Sequence, residues 1–348
     1  EVLPFKFKSV LLKGKGNYIC LRRIERYISN PQMLSIRERE GLVHVASWLN
    51  DTTSGDITEN TAFNNMRQYY LWEKIRADGH TCIGRKCEYY HDCFVYKARN
   101  KVRKAQVVIV NHALLLSDLQ GSILGDYSYL VVDEAHNLER VAVDHLGGII
   151  AQWRFRSTLD SIFSDIPRPS GTLSFLFGKL KGAEEYIDSY KSATAAVVAA
   201  RAFGDNFFAQ LASYMEDVYH WREQKYAVRK RYDMENPVFQ SIESLGREFL
   251  KYISTAKDAL KEFAEEIDSD DREIEHLLEE LNGEIVKLAE LEEDLLFAIS
   301  PSEYDVVYWL SSPERQDSTD ARLNWAQLNI GEILCHSLYD NLAAVILT

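Results

Sequence analysis

The chain has 348 residues, 46% of them hydrophobic, and a formal net charge of −13. That length and apolar content can bury a core and suggest two or three domains, which excludes a disordered chain. No twenty-residue apolar run occurs and the opening EVLPFKFKSV lacks the parts of a secretion signal, so we read the chain as intracellular, without a membrane span.

In chain order, FKSVLLKGKGNYICLRRI at 7–24 has a short apolar piece, a turn at Gly14 and Gly16, and then a helical pattern. Residues 30–80 are polar, with helix-like apolar spacing around Val43, Ala46, Trp48 and Leu49, and read as a small irregular module. VVIV at 107–110 and YLVV at 129–132 are continuous β-branched runs, the mark of buried parallel strands. HALLLSDL between them predicts a helix, giving a strand-helix-strand unit.

From 150 to about 300 the spacing predicts an all-helical insertion. In its last helix Ile274, Leu277, Leu281, Ile285, Leu288, Leu291 and Leu295 form one stripe. Gly283 interrupts that helix at a cost of about 1 kcal/mol relative to Ala. DSDD at 268–271 reads as a solvated loop and helix start. DVVYWL at 305–310 and AAVILT at 343–348 predict strands, and a core strand at the last residue leads us to expect a piece of a longer polypeptide.

Charge is divided along the chain. Residues 1–105 hold 19 Lys and Arg against 11 Asp and Glu, a net of +8, whereas the remainder nets −21. Such a split suits one region to a polyanion and leaves the other to repel it.

Two constellations carry chemistry. Asp133 and Glu134 directly follow the apolar run at 129–132, and ligands of α/β sheets gather at the carboxyl ends of strands. One carboxylate there can hold Mg²⁺ while its neighbour orients or deprotonates water, with His136 placed to sense the nucleotide. The usual partner, a G-x-x-x-x-G-K-S/T phosphate loop, does not occur in the sequence, so the chain by itself is expected to hydrolyse no ATP.

The second constellation is CIGRKCEYYHDC at 82–93, which holds three of the five cysteines. Cys82, Cys87 and Cys93 together with the upstream Cys20 suit either an iron-sulfur cluster or a tetrahedral zinc site. The wide spacing favours the cluster, and His80 and His91 keep zinc open. Cys335 reads as a packing cysteine on an apolar face.

Around these thiols lies a cationic track interleaved with tyrosines. Lys13, Lys15, Tyr18, Arg22 and Arg23 flank Cys20, and Arg85 and Lys86 sit inside the trio. Phosphates pair with such charges and bases stack on such rings, so single-stranded DNA is the expected partner. HWREQKYAVRKRY at 220–232 is a second basic and aromatic patch inside an acidic region.

Cys20, then the cysteine trio, then VVIVNHALLLSDL, then VVDEAHNLE strongly resemble the DinG branch of the XPD/DinG iron-sulfur helicases, over nearly the whole chain. The resemblance implies an ATP- and Mg²⁺-dependent 5′ to 3′ DNA helicase of superfamily 2, working in repair or replication as a cytoplasmic, nucleoid-associated monomer on single-stranded, forked or looped DNA.

It also implies an α/β fold in which two insertions interrupt the first RecA-like motor domain. Motor segments would occupy 1–17, 106–149 and 303–348. A small, mainly helical domain at 18–105 would hold a 4Fe–4S cluster on Cys20, Cys82, Cys87 and Cys93, and a helical arch would span 150–302. Asp133, Glu134 and His136 would be the catalytic residues, and Asn111 and His112 match an element that faces nucleotide or DNA. The phosphate loop and second motor domain of that family have no counterpart in these residues. The alternative is a non-catalytic, zinc-bearing nucleic-acid-binding or scaffold module.

Overall fold

The computed structural model describes residues 5–119, 122–166, 168–233, 237–301, 305–315, 317–340 and 342–348. The expected boundary at 302–303 lies outside them. The chain divides into two units. The first combines Glu1–Gly79, Gly84–Leu146 and Asn329–Thr348; the second combines His80–Ile83 with Gly147–Leu328.

The first unit begins with strand β1 (Ser9–Leu11). Residues 18–20 then run extended between two other segments. The Ile19 N–H donates to the Gly55 carbonyl at 3.0 Å, the Cys20 N–H to Ile75 at 2.9 Å, and the Ala77 N–H to Tyr18 at 2.8 Å. Four short helices follow: α1 (Leu21–Ser29), α2 (Ile36–Leu49), α3 (Thr61–Asn65) and α4 (Tyr69–Ile75).

Two of the four starts carry side-chain caps. Ser35 and Glu38 form a reciprocal capping box on α2, and the Asn60 side chain accepts from the Phe63 N–H on α3. Such caps are worth about 1 kcal/mol each, which matters for helices too short to stand alone. The expected irregular module is thus a set of short helices, two of them capped by side chains.

Helix α5 (Phe94–Val102) leads to β2 (Val107–Ile109), which pairs in parallel with β1, Ser9 opposite Val107. Helix α6 (His112–Ser117) starts at Asn111, whose side chain accepts from the Leu114 N–H at 2.9 Å. Strand β3 (Tyr129–Val132) and helix α7 (Leu138–Leu146) complete this stretch.

The second unit contains β4 (Gly148–Ile150), α8 (Gln152–Ile162), α9 (Thr172–Lys179), the long α10 (Ile187–Tyr219) and β5 (Arg229–Arg231). After them come α11 (Pro237–Glu265), α12 (Arg272–Ala298), β6 (Val306–Ser311) and β7 (Arg322–Gln327). The four strands form an antiparallel sheet in the order β4-β7-β6-β5. The expectation of an all-helical 150–302 is therefore corrected by β5. That strand carries three cations and no apolar alternation, so hydrophobic period could not reveal it.

Apolar packing explains the long helices. Phe155, Phe207, Phe208 and Phe249 are fully buried together, and a Cβ on Gly204 would stand 2.7 Å from the Phe249 ring, so α10 and α11 meet where glycine leaves room. The predicted stripe of α12 is buried from Ile274 to Leu295, and Asp271 caps its start by accepting from the Glu273 N–H. Gly283 has a reason to interrupt it: a Cβ there would lie 2.3 Å from the His80 carbonyl oxygen, so the backbone of 80–83 rests directly on α12.

The chain then returns to the first unit through α13 (Ile330–Leu334) and a π turn (Cys335–Tyr339), and ends in β8 (Ala344–Leu347). Strand β8 pairs in parallel with β3, Tyr129 opposite Ala344. Leu115, Leu116, Val132, Leu138, Ala142, Ile330, Leu334 and Leu338 make the core here. Strands β2 and β3 sit in separate pairs, because parallel neighbours need crossovers and need not be adjacent in sequence. Cys335 is exposed, not packed, and its thiol donates to Asp340, whose carboxylate raises the thiol pKa. Among the described residues no helix is long and apolar enough to cross a membrane.

Candidate nucleotide, thiol and nucleic-acid sites

Strand β3 ends at Val132, and its buried side chain leaves the next two residues at the surface. Asp133 is held by several neighbours. Its Oδ1 accepts from the Glu134 N–H and the Thr348 hydroxyl, each at 3.1 Å, and its carbonyl oxygen lies 3.0 Å from His112 Nε2. Thr348 also donates its N–H to the Val132 carbonyl and accepts from the Ala135 N–H. The end of β8 therefore clamps the end of β3, and His112, at the start of α6, fixes the same turn.

Glu134 has a left-handed backbone, φ 50° and ψ 46°, a conformation that costs a residue other than glycine about 1 kcal/mol or more. It turns the chain out of the strand and leaves the carboxylate exposed, 3.4 Å from His136 Nδ1. His136 Nε2 lies 3.1 Å from Asn137 Nδ2. The two acids thus differ: Asp133 is oriented by hydrogen bonds, while Glu134 keeps a solvent-facing carboxylate with an imidazole at its side. Sequence spacing indicated Asp133, Glu134 and His136, and gave no sign of Thr348, which lies 215 residues from Asp133.

None of the five cysteines is in a disulfide. Cys20 is the N-cap of α1 and Cys93 the N-cap of α5, neither side chain making a capping hydrogen bond. Cys87 lies in the turn after Gly84, its N–H donating to the Gly84 carbonyl, and the Tyr89 hydroxyl donates to Glu25, bringing that turn onto the helix begun by Cys20. Cys82 is exposed in the His80–Ile83 segment, which belongs to the other unit. Among the described residues no three His, Cys, Asp or Glu side chains stand close enough together to hold a metal ion. The donor chemistry fits an iron-sulfur or zinc site, while the side chains as placed form no ligand group.

The candidate DNA contacts separate into packed and exposed groups. Lys13 Nζ pairs with Asp56 at 2.5 Å and bonds Thr58, and Tyr18 is buried, its hydroxyl accepting from the Lys13 N–H. Burial, reinforced by Asp56, raises the Tyr18 pKa. Arg22 and Arg23 are 9% and 7% exposed, so their stems belong to the packing of α1. Lys15 is half-buried, whereas Arg85, Lys86, Lys101, Arg103 and Lys104 are exposed. Exposed positive charge thus lies on the turn at 84–86 and on α5 and the residues just past it, more than around Cys20. Asn111 serves as a helix cap and His112 as the link to Asp133 described above.

Comparison with known proteins follows these features. The family described as DEAD_2 matches residues 51–152. The ATP-dependent DNA helicase YoaA of Escherichia coli strain K12 is 33% identical over 153 residues, 42% of this chain and 24% of that protein. The ATP-dependent helicase DinG of Mycobacterium tuberculosis strain H37Rv is 30% identical over 154 residues, 40% and 23% of the two chains. A protein named 3′-5′ exonuclease DinG, from Bacillus subtilis strain 168, is 28% identical over 152 residues, 42% and 16%. The chain matches about a quarter of the length of the first two relatives.

Proposed function

We propose that this chain, which is similar to DinG and YoaA helicases over the matched residues, is part of an ATP-dependent 5′ to 3′ DNA helicase that grips single-stranded DNA and separates forked or looped duplexes. The observation that carries this reading is the turn at the end of β3, where Asp133 is fixed by His112 and Thr348 and Glu134 projects beside His136. In this reading Asp133 holds the Mg²⁺ of bound ATP, and Glu134 orients the attacking water. The phosphate-cradling loop comes from outside these 348 residues, and the chain alone does not hydrolyse ATP.

Cys20, Cys82, Cys87 and Cys93 are proposed as the ligands of a 4Fe–4S cluster, supported by their spacing. Among the described residues no ligand group is preformed, so in this reading cluster assembly orders the four thiols. The cluster's role in this reading is structural, stiffening the cationic region at 82–104 against DNA. Within the same reading the helical stretch at 150–302 is the arch.

The test is DNA-stimulated ATP hydrolysis by the complete polypeptide that this reading requires. Glu134→Gln should lower it by about 10²- to 10⁴-fold, the usual contribution of a positioned acid or base, and leave single-strand affinity unchanged. Hydrolysis that survives the substitution would reject the assignment.

A further inference from the structure

In the second unit, the run from His220 to Tyr232 is fixed at both ends and open between them. His220, with φ 48°, ends α10. Trp221 is 4% exposed and donates from Nε1 to the Ala212 carbonyl at 3.1 Å. Tyr232 is 8% exposed, and its hydroxyl donates to the Ala298 carbonyl at 2.8 Å. Between these anchors Arg222–Ala227 and Arg229–Arg231 are exposed. The Val228 N–H donates to Ser312 Oγ and its carbonyl accepts from the Ser312 N–H, which pins the middle.

The exposed run holds five cations and one acid, within a region whose net charge is strongly negative. Among the described residues Lys225, Arg229, Lys230 and Arg231 make no ion pair. Two of them stand beside rings: Lys225 Nζ is 5.5 Å from the Tyr226 ring centre and Lys230 Nζ 5.2 Å from that of Tyr219. Tyr226 is 77% exposed. Strand β5 is the edge of its sheet, so Arg229 and Arg231 share one face, about 6.6 Å apart along the strand, with Lys230 on the other.

Unneutralised charge, an open ring and a backbone held rigid are what a single-stranded nucleic acid needs: phosphates meet the cations and bases stack on the ring, at little ordering cost. A protein partner of acidic character would use the charges and leave the tyrosine without a base to stack on. We propose that Lys225, Tyr226, Arg229, Lys230 and Arg231 form a second contact for single-stranded nucleic acid, separate from the cationic turn at 84–86. The inference rests on the DNA-binding reading above and adds a site to it.

The experiment is fluorescence anisotropy of labelled oligo-dT, and of the matching RNA, with the chain and two variants. Arg229→Gln combined with Lys230→Gln and Arg231→Gln should weaken binding at least about tenfold and flatten the log–log salt dependence by roughly 2, three lost contacts at about 0.7 each. Tyr226→Ala should weaken it about tenfold with the salt dependence unchanged. Circular dichroism confirms that both variants keep the wild-type fold. Equal loss on DNA and RNA assigns the site to phosphate and base in general, and loss on DNA alone to DNA. Variants that bind like the wild type overturn the proposal, as does aggregation of the Gln variant with unchanged affinity, because edge protection is then the purpose of the cations. Competition by poly-glutamate as strong as by oligonucleotide also overturns it. A wild-type chain without affinity for either strand would overturn the DNA-binding reading as well, so the two failures are distinguishable.

Discussion

Glu38 shows how much one side chain can hold in the first unit. It is buried and would for that reason resist ionisation, but the Lys74 ammonium at 2.7 Å and the Ser35 hydrogen bonds outweigh burial and lower its pKa below the ordinary 4.5. A carboxylate whose folded pKa lies below its unfolded one stabilises fully above the unfolded value and loses that contribution as the pH falls through the folded one. Glu38→Gln should therefore flatten the decline in stability below about pH 4.5, followed by urea denaturation across pH. An acid limb identical to the wild type would show that the ion pair contributes nothing. At the same scale lie the buried Arg22 and Arg23, which read as DNA contacts in the sequence. A guanidinium buries its stem as readily as it shows its charge, and composition does not distinguish the two.

At the scale of elements, the meeting of 80–83 with α12 turns on Gly283. Alanine there would raise helix propensity by about 1 kcal/mol, yet its Cβ would press on the His80 carbonyl oxygen at 2.3 Å, a backbone atom with little freedom to yield. The clash should win, and Gly283→Ala should destabilise the chain by about 1–3 kcal/mol by chemical denaturation. A gain in stability would mean that the contact is loose. The sequence marked Gly283 only as a defect in a helix, because its partner lies some two hundred residues away. Continuous apolar runs were legible in position: β3 matches its predicted span, and β2, β6 and β8 fall where the pattern put them, within a residue or so at their ends; the expected burial of β2 and β3 is corrected, since Val107, Ile109, Tyr129 and Val131 are exposed. β5 was not, since a cationic edge strand shows no apolar period. The acids at 133–134 were plain from the strand before them; the Thr348 clamp needed the β3–β8 pairing, a contact that local pattern does not encode.

For the whole molecule, charge is the organising property: the first 105 residues are basic and the remainder strongly acidic, with the run at 220–232 as a basic exception inside the second unit. Cys20, Cys82, Cys87 and Cys93 fall within the basic region, the last three beside Arg85 and Lys86, so any cluster they hold would stiffen the part of the chain suited to phosphate. The measurement that bears most directly on this account is iron and acid-labile sulfide in the chain purified without oxygen, with each cysteine in turn replaced by serine. The account predicts about four iron and four sulfide per chain, lost on replacing Cys20, Cys82, Cys87 or Cys93 and retained with Cys335→Ser. One zinc per chain without sulfide, or iron indifferent to those four cysteines, would contradict it.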